Sequence, residues 1–164
     1  MEGCLYGSKV YLRVLSAADI ELYLQRMVPL VQQLLHVSSL DMEYIYLHEQ
    51  LAAMREGRTF FYCIYDRFLA TLIGAIEIRN RQQYPGQLYT WLHPSSWAHG
   101  YFQEALYLAS RTYFCCTLEP YITARVDRQN KRSRRALKRV GFADYRMVDG
   151  GYAPQYELVL INKW

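Results

Sequence analysis

Short runs in which apolar and polar residues alternate recur along the chain and predict seven β-strands. In residues 9–14, Val10, Leu12 and Val14 occupy every second position, which is the period of a strand with one buried face. The other predicted strands are residues 59–65, 68–80, 87–92, 121–126, 142–148 and 156–162. Gly74 interrupts TLIGAIEI, the most continuous of these runs, and indicates a bulge or a close backbone approach there.

Apolar residues at helical spacing predict helices between these strands. Ser16 stands three residues before Asp19, as in a capping box, and begins a helix that Pro29 interrupts. Residues 30–37 are expected to add another turn or two before SSLD restarts a helix that ends at Gly57. The predicted inner face of this last helix consists of Tyr44, Leu47, His48, Leu51 and Met54.

Two more helices follow in the second half of the chain. Residues 100–117 predict an amphipathic helix with Ser110 on its polar face. Its predicted inner stripe is Phe102, Leu106, Ala109, Tyr113 and Cys116. Residues 132–140 predict a shorter helix that ends at Gly141. The resulting order is a strand, two helices, three strands, a helix, a strand, a helix and two strands, without a repeat or a linker.

The bulk composition narrows the class of protein. The chain has 164 residues, of which 52% are hydrophobic, and this suits one domain with a substantial core. No apolar run approaches the ~20 residues that cross a bilayer. The first residues lack the apolar core and the cleavage site of a signal peptide. We therefore expect a cytoplasmic protein that does not associate with membranes, either a monomer or a homodimer.

The cysteines indicate neither a disulfide framework nor a metal site. Cys4, Cys63, Cys115 and Cys116 are scattered, with no CxxC pair and no histidine at ligand spacing. We expect reduced thiols that are mostly buried, and no bound metal.

The positive charge is concentrated in one segment. Residues 125–139 hold eight of the 19 basic residues and one of the 15 acidic ones, so the other segments sum to a net charge of −3. The segment is explained by a solvated helix face, by a site for a phosphorylated ligand, or by a patch that docks RNA or an acidic partner. The sequence alone leaves these three explanations open.

The stretch QLYTWLHPSSWAHGYFQEA, residues 87–105, has the order strand, glycine-bearing turn and helix start. The amides at a helix N-terminus lack intrahelical partners, and the helix dipole favours negative charge there. The stretch is therefore a candidate anion site. With Gly100 as its one glycine, it is also compatible with an ordinary strand-to-helix connection.

Several motifs together resemble the GNAT superfamily of acyl-CoA-dependent N-acyltransferases. The sequence is most similar to the branch that acetylates the N-termini of ribosomal proteins (the RimJ/RimL-like branch). The likeness covers nearly the whole chain and is carried by KVYLRVLSAADI, IGAIEI, LYTWLHPSSWAHGYFQEAL and ARVDRQNKRSRRALKRVGF. Two motifs in this order, on the predicted elements, are more specific than either motif alone.

The resemblance implies a GNAT fold for residues 1–164 as a single acyltransferase domain. This is an α/β (α+β) architecture with a mixed, mostly antiparallel sheet of about six to seven strands and helices on both faces. Its fourth and fifth strands, here residues 87–92 and 121–126, would splay apart around acetyl-CoA. The residues implied to bind this co-substrate are Trp91, Leu92, His93, Trp97, Ala98, His99, Gly100, Tyr101, Phe102, Asn130, Arg132 and Ser133.

The resemblance also implies the chemistry, which is attack of a primary amine on the thioester. A backbone N–H near Trp91 and Leu92 would hold the carbonyl oxygen as charge develops. Ser133 matches the serine that follows the family asparagine, whereas Leu137 stands where many relatives have a tyrosine acid. The candidate bases are Glu77 and Asp149.

Two features leave other functions open. Phe102 occupies a loop position that is usually small, so a GNAT-like module that binds CoA without catalysis is one alternative. An RNA- or ribosome-docking domain that uses residues 125–139 is another. The acceptor amine, which is a protein N-terminus or a small amine, is not readable from the sequence.

Overall fold

A computed structural model describes residues 3–81, 84–151 and 153–163. Eight strands form one sheet in the order β1-β2-β3-β4-β5-β6-β8-β7. The strands are β1 Cys4–Tyr6, β2 Val10–Val14, β3 Thr59–Asp66, β4 Leu72–Arg81, β5 Tyr84–Leu92, β6 Tyr121–Asp127, β7 Ala143–Asp149 and β8 Pro154–Ile161. The helices are α1 Ile20–Arg26, α2 Pro29–Leu35, α3 Leu40–Arg55, α4 Tyr101–Cys116 and α5 Lys131–Val140.

The sheet is mixed, as expected, and it has one more strand than the upper expected number. Every neighbouring pair is antiparallel except β5 and β6, which are parallel. The additional strand is β1, which pairs with β2 through Leu5 and Leu12. Three residues are too short a run to show alternation, so the sequence pattern does not indicate this strand.

Helices cover both faces of the sheet, which confirms the predicted layers. One apolar cluster packs α4 and α5 against one face and includes Leu12, Ile76 and Leu106. A second cluster packs α1, α2 and α3 against the other face and includes Met27 and Leu47. Because both faces are covered, all eight residues of β3 are buried.

The predicted strand 68–80 begins too early. Phe68 and Leu69 lie in a turn and are 81% and 75% exposed. The Asp66 carboxylate accepts hydrogen bonds from the backbone N–H groups of both residues, at 2.8 and 2.9 Å. This side-chain bonding favours a turn over a ladder, so β4 begins at Leu72.

The predicted inner face of α3 is wrong in part. Leu47 is buried as expected, whereas Tyr44 and His48 are exposed. The helix instead turns Glu43 and Tyr46 towards α1 and β4, where both side chains find hydrogen-bond partners. Partnered polar groups can be buried, and a purely apolar stripe does not reveal them.

The predicted stripe of α4 is correct for Leu106, Ala109 and Tyr113. Ser110 was predicted on the polar face but is fully buried. Its burial is tolerated because its hydroxyl donates to the Leu106 carbonyl at 2.7 Å within the helix. The last turn departs from the stripe, since Phe114 is buried and Cys116 is exposed.

The expectation of mostly buried thiols is likewise wrong for two of the four cysteines. Cys115 and Cys116 are both exposed, whereas Cys63 is buried and Cys4 is half-buried. Among the helices in the described part of the chain, none combines the length and the apolar character needed to cross a membrane.

Candidate active site

The sheet opens between β5 and β6. These strands pair only at Gln87 with Thr123 and at Leu88 with Ala124. Beyond these two pairs they diverge, and a cleft of about 960 Å³ opens between residues 89–92 of β5 and residues 125–127 of β6. The predicted splay between the fourth and fifth strands of the sequence pattern is therefore present, and the cleft lies within it.

The backbone of β5 supplies polar groups to this cleft. The N–H of His93 donates to Ile73 on the β4 side at 2.7 Å, and backbone groups of successive residues face opposite neighbours. The carbonyl of Leu92 accordingly points away from β4 and accepts the indole N–H of Trp97 at 3.0 Å. The N–H of Leu92 therefore lies on the cleft side, which is where the sequence comparison expects the donor to the thioester oxygen.

Gly74 allows β4 and β5 to approach closely behind this position. Gly74 pairs with Leu92 across the strands. A Cβ atom built on Gly74 would lie 2.2 Å from the carbonyl oxygen of Trp91, which is closer than real Cβ contacts come. The close approach inferred from the sequence is thus present.

The backbone of the loop after β5 passes around the end of the cleft. Residues Pro94–Ser96 form a 3₁₀ turn, and α4 begins at Tyr101. Ala98 and Gly100 have φ angles of 66° and 79°, which is a left-handed conformation that glycine adopts readily. The first amides of α4 have no carbonyl one turn earlier, so they are available to an anion.

Glu104 fixes the start of α4 to β2. Its carboxylate accepts hydrogen bonds from the backbone N–H groups of Ser8, Lys9 and Val10, at 2.7, 2.7 and 2.9 Å, and from the Ser8 hydroxyl at 2.6 Å. Burial alone would raise the pKa of Glu104, but these hydrogen bonds outweigh it and lower the pKa. Lys9 adds a further bond from its ammonium to the His99 carbonyl at 3.0 Å.

Trp97 and Arg132 stack at the wall of the cleft. The guanidinium carbon of Arg132 lies 3.3 Å from the centroid of the Trp97 ring, which is a cation–π contact. Partial burial lowers the pKa of Arg132. Both residues line the cleft, so the stack brings a positive charge close to the loop amides.

Asn130 and Ser133 begin α5 at the same wall. Asn130 caps the helix, because its side-chain oxygen accepts the backbone N–H of Ser133 at 3.1 Å. Ser133 is half-buried and lines the cleft. No hydrogen bond ties its hydroxyl to another residue in the described ranges, so the hydroxyl is available to a ligand.

Phe102 combines the two orientations that the sequence left open. It packs against the core cluster beneath α4, and it also lines the cleft.

The basic segment is divided between ion pairs and the cleft. Arg134 and Lys138 both bind Asp144, and they lower the pKa of that carboxyl to about 2. Arg125 pairs with Glu157 at 3.1 Å. The arginines that line the cleft are Arg125, Arg132, Arg135 and Arg139, whereas Arg128 and Lys131 lie outside it. The ion pairs reduce the charge available to an RNA surface.

A second cavity of about 300 Å³ lies beside the cleft, on the α3 side of β5. Tyr89, Thr90 and Trp91 line both spaces, as does His36 at the end of α2. His36 contacts Asp127 of β6, with 3.0 Å between Nε2 and the carboxylate. The two cavities are therefore neighbours that share one strand as a wall.

Glu77 lies in this second cavity, and three donors surround its carboxylate. Arg79 and Thr59 each donate at 3.0 Å, and the Tyr46 hydroxyl also donates. Arg79 itself stacks 3.6 Å above the Tyr89 ring. Burial alone would lower the pKa of Arg79, but the charge and hydrogen bond of Glu77, together with Tyr46 and Tyr89, outweigh it and raise the pKa.

The predicted site residues divide into two groups. Those that line the cleft are Trp91, Leu92, Trp97, Ala98, Gly100, Tyr101, Phe102, Asn130, Arg132 and Ser133. Those outside its lining are His93, His99, Glu77 and Asp149. His93 lies in the turn against Ser95, and burial, with the charge of Arg26, lowers its pKa. Asp149 is exposed and accepts the Gly151 N–H at 3.1 Å.

Sequence reasoning missed several residues of the second cavity, among them Tyr23, Glu43, Tyr46 and Arg79. Glu43 and Tyr46 stand three positions apart on α3, so they share a helix face. The predicted inner face of α3 included neither of them. In the described residues, no three His, Cys, Asp or Glu side chains cluster as metal ligands would.

Comparison with known families matches residues 9–143 to the family described as "Acetyltransferase (GNAT) domain". No protein of curated function matches the chain at a significant level.

Solved structures share the whole fold at low sequence identity. A ribosomal-protein-S5-alanine acetyltransferase from Vibrio fischeri is 14% identical, with a TM-score of 0.80, over 99% of this chain and 98% of its own. An acetyltransferase from Salmonella typhimurium that modifies the N-terminal serine of ribosomal protein L7/L12 is 13% identical, with a TM-score of 0.81, over 96% and 97%. RimJ of Mycobacterium smegmatis, in complex with a CoA disulfide, is 18% identical, with a TM-score of 0.77, over 94% and 82%.

Proposed function

The chain belongs to the GNAT acetyltransferase family, whose members use acetyl-CoA, and from this premise we propose that it acetylates the N-terminal amine of a protein. The transfer would be direct, from acetyl-CoA in the cleft to the amine. Structures similar to this one include acetyltransferases of ribosomal proteins, which supports a ribosomal protein as the acceptor.

The observation that carries the proposal is the splay between β5 and β6, with the α4 loop at its end. The unpaired edge of β5 offers backbone groups to the amides of pantetheine. The amides of residues 98–102 would surround the pyrophosphate, close to the guanidinium of Arg132. A cleft of about 960 Å³ is large enough for a cofactor-sized ligand, at the upper end of the usual range.

The chemistry needs a held carbonyl oxygen and a proton for the leaving thiolate. The N–H of Leu92 is the group that supports the first role, since it faces the cleft. For the second role we propose the hydroxyl of Ser133, which lines the same cleft. In other enzymes, removing one donor to the developing oxyanion, which is the role proposed for the Leu92 N–H, lowers the rate about 10²–10³-fold.

The third need is a base for the ammonium, and the two carboxylates expected from the sequence differ in their surroundings. Glu77 is held by Arg79, Thr59 and Tyr46, which compensate its charge. Asp149 is exposed at the end of β7 and lies outside the lining of the cleft. Its neighbour Gly150 does line the cleft, so Asp149 stays a candidate base at the mouth of the site.

A binding experiment with a matched pair of variants tests the proposal. We expect calorimetric titration to show that Arg132→Ala lowers the affinity for acetyl-CoA about 10- to 100-fold, because a charged hydrogen bond contributes about 1.5–3 kcal/mol. Lys131→Ala removes the same charge from the preceding residue, which lies outside the cleft. The affinity of this variant for acetyl-CoA should stay within about twofold of wild type.

Turnover is measured as release of free thiol from acetyl-CoA with peptides that begin with serine or alanine. The proposal fails if millimolar acetyl-CoA neither binds nor raises the melting temperature, because a ligand of the native state must stabilise it. Binding without turnover over these peptides and a panel of small amines would instead favour the non-catalytic module.

A further inference from the structure

Two carboxylates enter the second cavity, and their surroundings differ. Glu77 receives hydrogen bonds from three side chains, one of which is a guanidinium. Glu43 receives one described side-chain bond, from the Tyr23 hydroxyl at 3.0 Å to Oε1. Two acids with such different partners are suited to different roles, with Glu77 held in place by its three donors and Glu43 left able to exchange a proton.

The position of Glu43 is fixed relative to the cleft through Tyr23. Tyr23 is buried and accepts the indole N–H of Trp91 at 3.0 Å, and it donates its own hydroxyl proton to Glu43. Trp91 precedes Leu92, whose N–H faces the neighbouring cleft, and Trp91 lines both spaces. The carboxylate is thus held on the α3 side of β5, opposite the strand edge that would bind acetyl-CoA.

We propose that the second cavity receives the acceptor amine and that the Glu43 carboxylate takes a proton from its ammonium. This inference rests on the acetyl transfer proposed above. The neutral amine then forms the N–C bond to the thioester carbon, the C–S bond breaks, and its electron pair leaves on sulfur. The Ser133 hydroxyl gives its proton to the thiolate and regains one from nitrogen, which thereby loses its second proton. The products are an amide, free CoA and one proton released from Glu43 to solvent.

The charged groups around Glu43 agree with this role. Burial raises the pKa of Glu43, and the charge of Glu77 adds to this, while the hydrogen bond from Tyr23 and the charge of Arg79 act in the opposite direction; the net change is upward. A carboxylate with a raised pKa is a stronger base. Tyr46 also faces the cavity, but burial raises its pKa and keeps it neutral.

The cavity also indicates the kind of acceptor. Glu43 and Glu77 outnumber the one guanidinium of Arg79, so an incoming cation is favoured. A volume of about 300 Å³ is at the small end for ligand pockets and suits the slim end of a chain. A peptide N-terminus, with its ammonium on an unbranched backbone, meets both conditions.

His36 is the competing base, because it lines both cavities and lies against Asp127. The two side chains belong to different chemical types, since an ordinary histidine has a pKa of about 6.5 and an ordinary glutamate about 4.3. The dependence of kcat/KM on pH therefore distinguishes them.

The experiment compares Glu43→Gln with Asp41→Asn, a control in the same first turn of α3 whose side chain lies outside the second cavity. With a serine-initiated tetrapeptide at pH 7, we expect Glu43→Gln to lower kcat/KM about 100-fold, in line with general base catalysis, and Asp41→Asn to change it less than twofold. The glutamine oxygen can still accept the Tyr23 hydroxyl, so the fold should persist, which circular dichroism checks.

The pH profile gives a readout that a structural role would not produce. Without Glu43 the enzyme must use amine that is already neutral, so the acidic limb should move up to the pKa of the peptide amine, about 8. Activity should then approach that of wild type near pH 9. Retention of the wild-type limb in Glu43→Gln, or its loss in His36→Gln instead, overturns the proposal.

Failure of this inference is separate from failure of the proposed function. Acetyl-CoA binding and thiol release by the wild-type protein test the function by themselves. If both are present and Glu43→Gln retains full activity at pH 7, only the assignment of Glu43 fails. If the wild-type protein shows neither, the proposed function fails first.

Discussion

Replacing Gly74 with alanine tests whether the close approach of β4 and β5 shapes the site. The new Cβ would lie 2.2 Å from the Trp91 carbonyl oxygen and 2.7 Å from Cδ2 of Leu92, whereas real Cβ contacts stay beyond 3.0 Å. The Trp91 carbonyl must therefore withdraw by about 0.8 Å. Because this oxygen belongs to backbone, rotation of a side chain cannot relieve the contact.

The displacement carries a cost in stability and a cost in rate. Overpacking of this kind costs about 1–3 kcal/mol, and the smaller backbone entropy of alanine in the unfolded chain returns about 0.4–1 kcal/mol. The middle of these two ranges leaves a loss of about 1.3 kcal/mol, which should lower the melting temperature of a chain of this size by about 3–5 °C. The Leu92 N–H moves with the strand, and a misplacement near 1 Å can cost up to about 100-fold, so we expect kcat/KM to fall about 10- to 100-fold.

The assays are thermal unfolding and thiol release from acetyl-CoA at saturating peptide. Gly3→Ala is the matched control, because no atom lies within 4 Å of a Cβ built there, and it should leave both measurements unchanged. If Gly74→Ala melts within 1 °C of wild type and keeps its rate, the close approach of β4 and β5 limits neither the stability nor the rate of acetyl transfer.

Further measurements examine other parts of the fold. Glu104→Ala should lower the free energy of unfolding in urea by about 1–3 kcal/mol, because three backbone N–H groups lose a charged acceptor; an unchanged urea midpoint would contradict the anchoring role. The pKa values of Asp19 and Glu104 are both lowered in the fold, so their contribution is fully present above the unfolded pKa values near 4 and is lost as the pH falls through the folded values. The part of the urea midpoint that depends on these two carboxylates should therefore be constant from pH 5 to 7 and fall at pH 3. A thiol reagent should label Cys115 and Cys116 in the native protein but Cys63 only after unfolding, because burial removes Cys63 from solvent and raises its pKa.

Local patterns were sufficient to predict the elements that position the cleft. The alternation in β5, the turn at Pro94 and the start of α4 after Gly100 are all set by neighbouring residues, and each lies close to its predicted place. Asn130 was expected before α5, and it caps that helix in the structure. The splay itself followed from family resemblance, since nothing in the two strands' own sequences shows that they diverge.

The second cavity was not predictable, because its chemistry depends on tertiary neighbours. Glu43 and Tyr46 are polar residues on a helix, and such residues usually face solvent. They point inward only because Tyr23 and Glu77, far away in sequence, supply hydrogen-bond partners. A stripe defined by apolar residues cannot include such positions, so the predicted face of α3 was rotated.

Only two residue pairs join β5 to β6 in the described structure, and this affects how firmly the two parts of the sheet are held together. Pulling the chain apart across Gln87 and Thr123 would break few backbone bonds, so cohesion between the first five strands and the last three depends on the shared core under α4. A ligand that contacts the edges of both β5 and β6 would add contacts across this gap. We expect bound acetyl-CoA to slow amide hydrogen exchange along residues 89–92 more than in β3, which is already buried and paired on both sides.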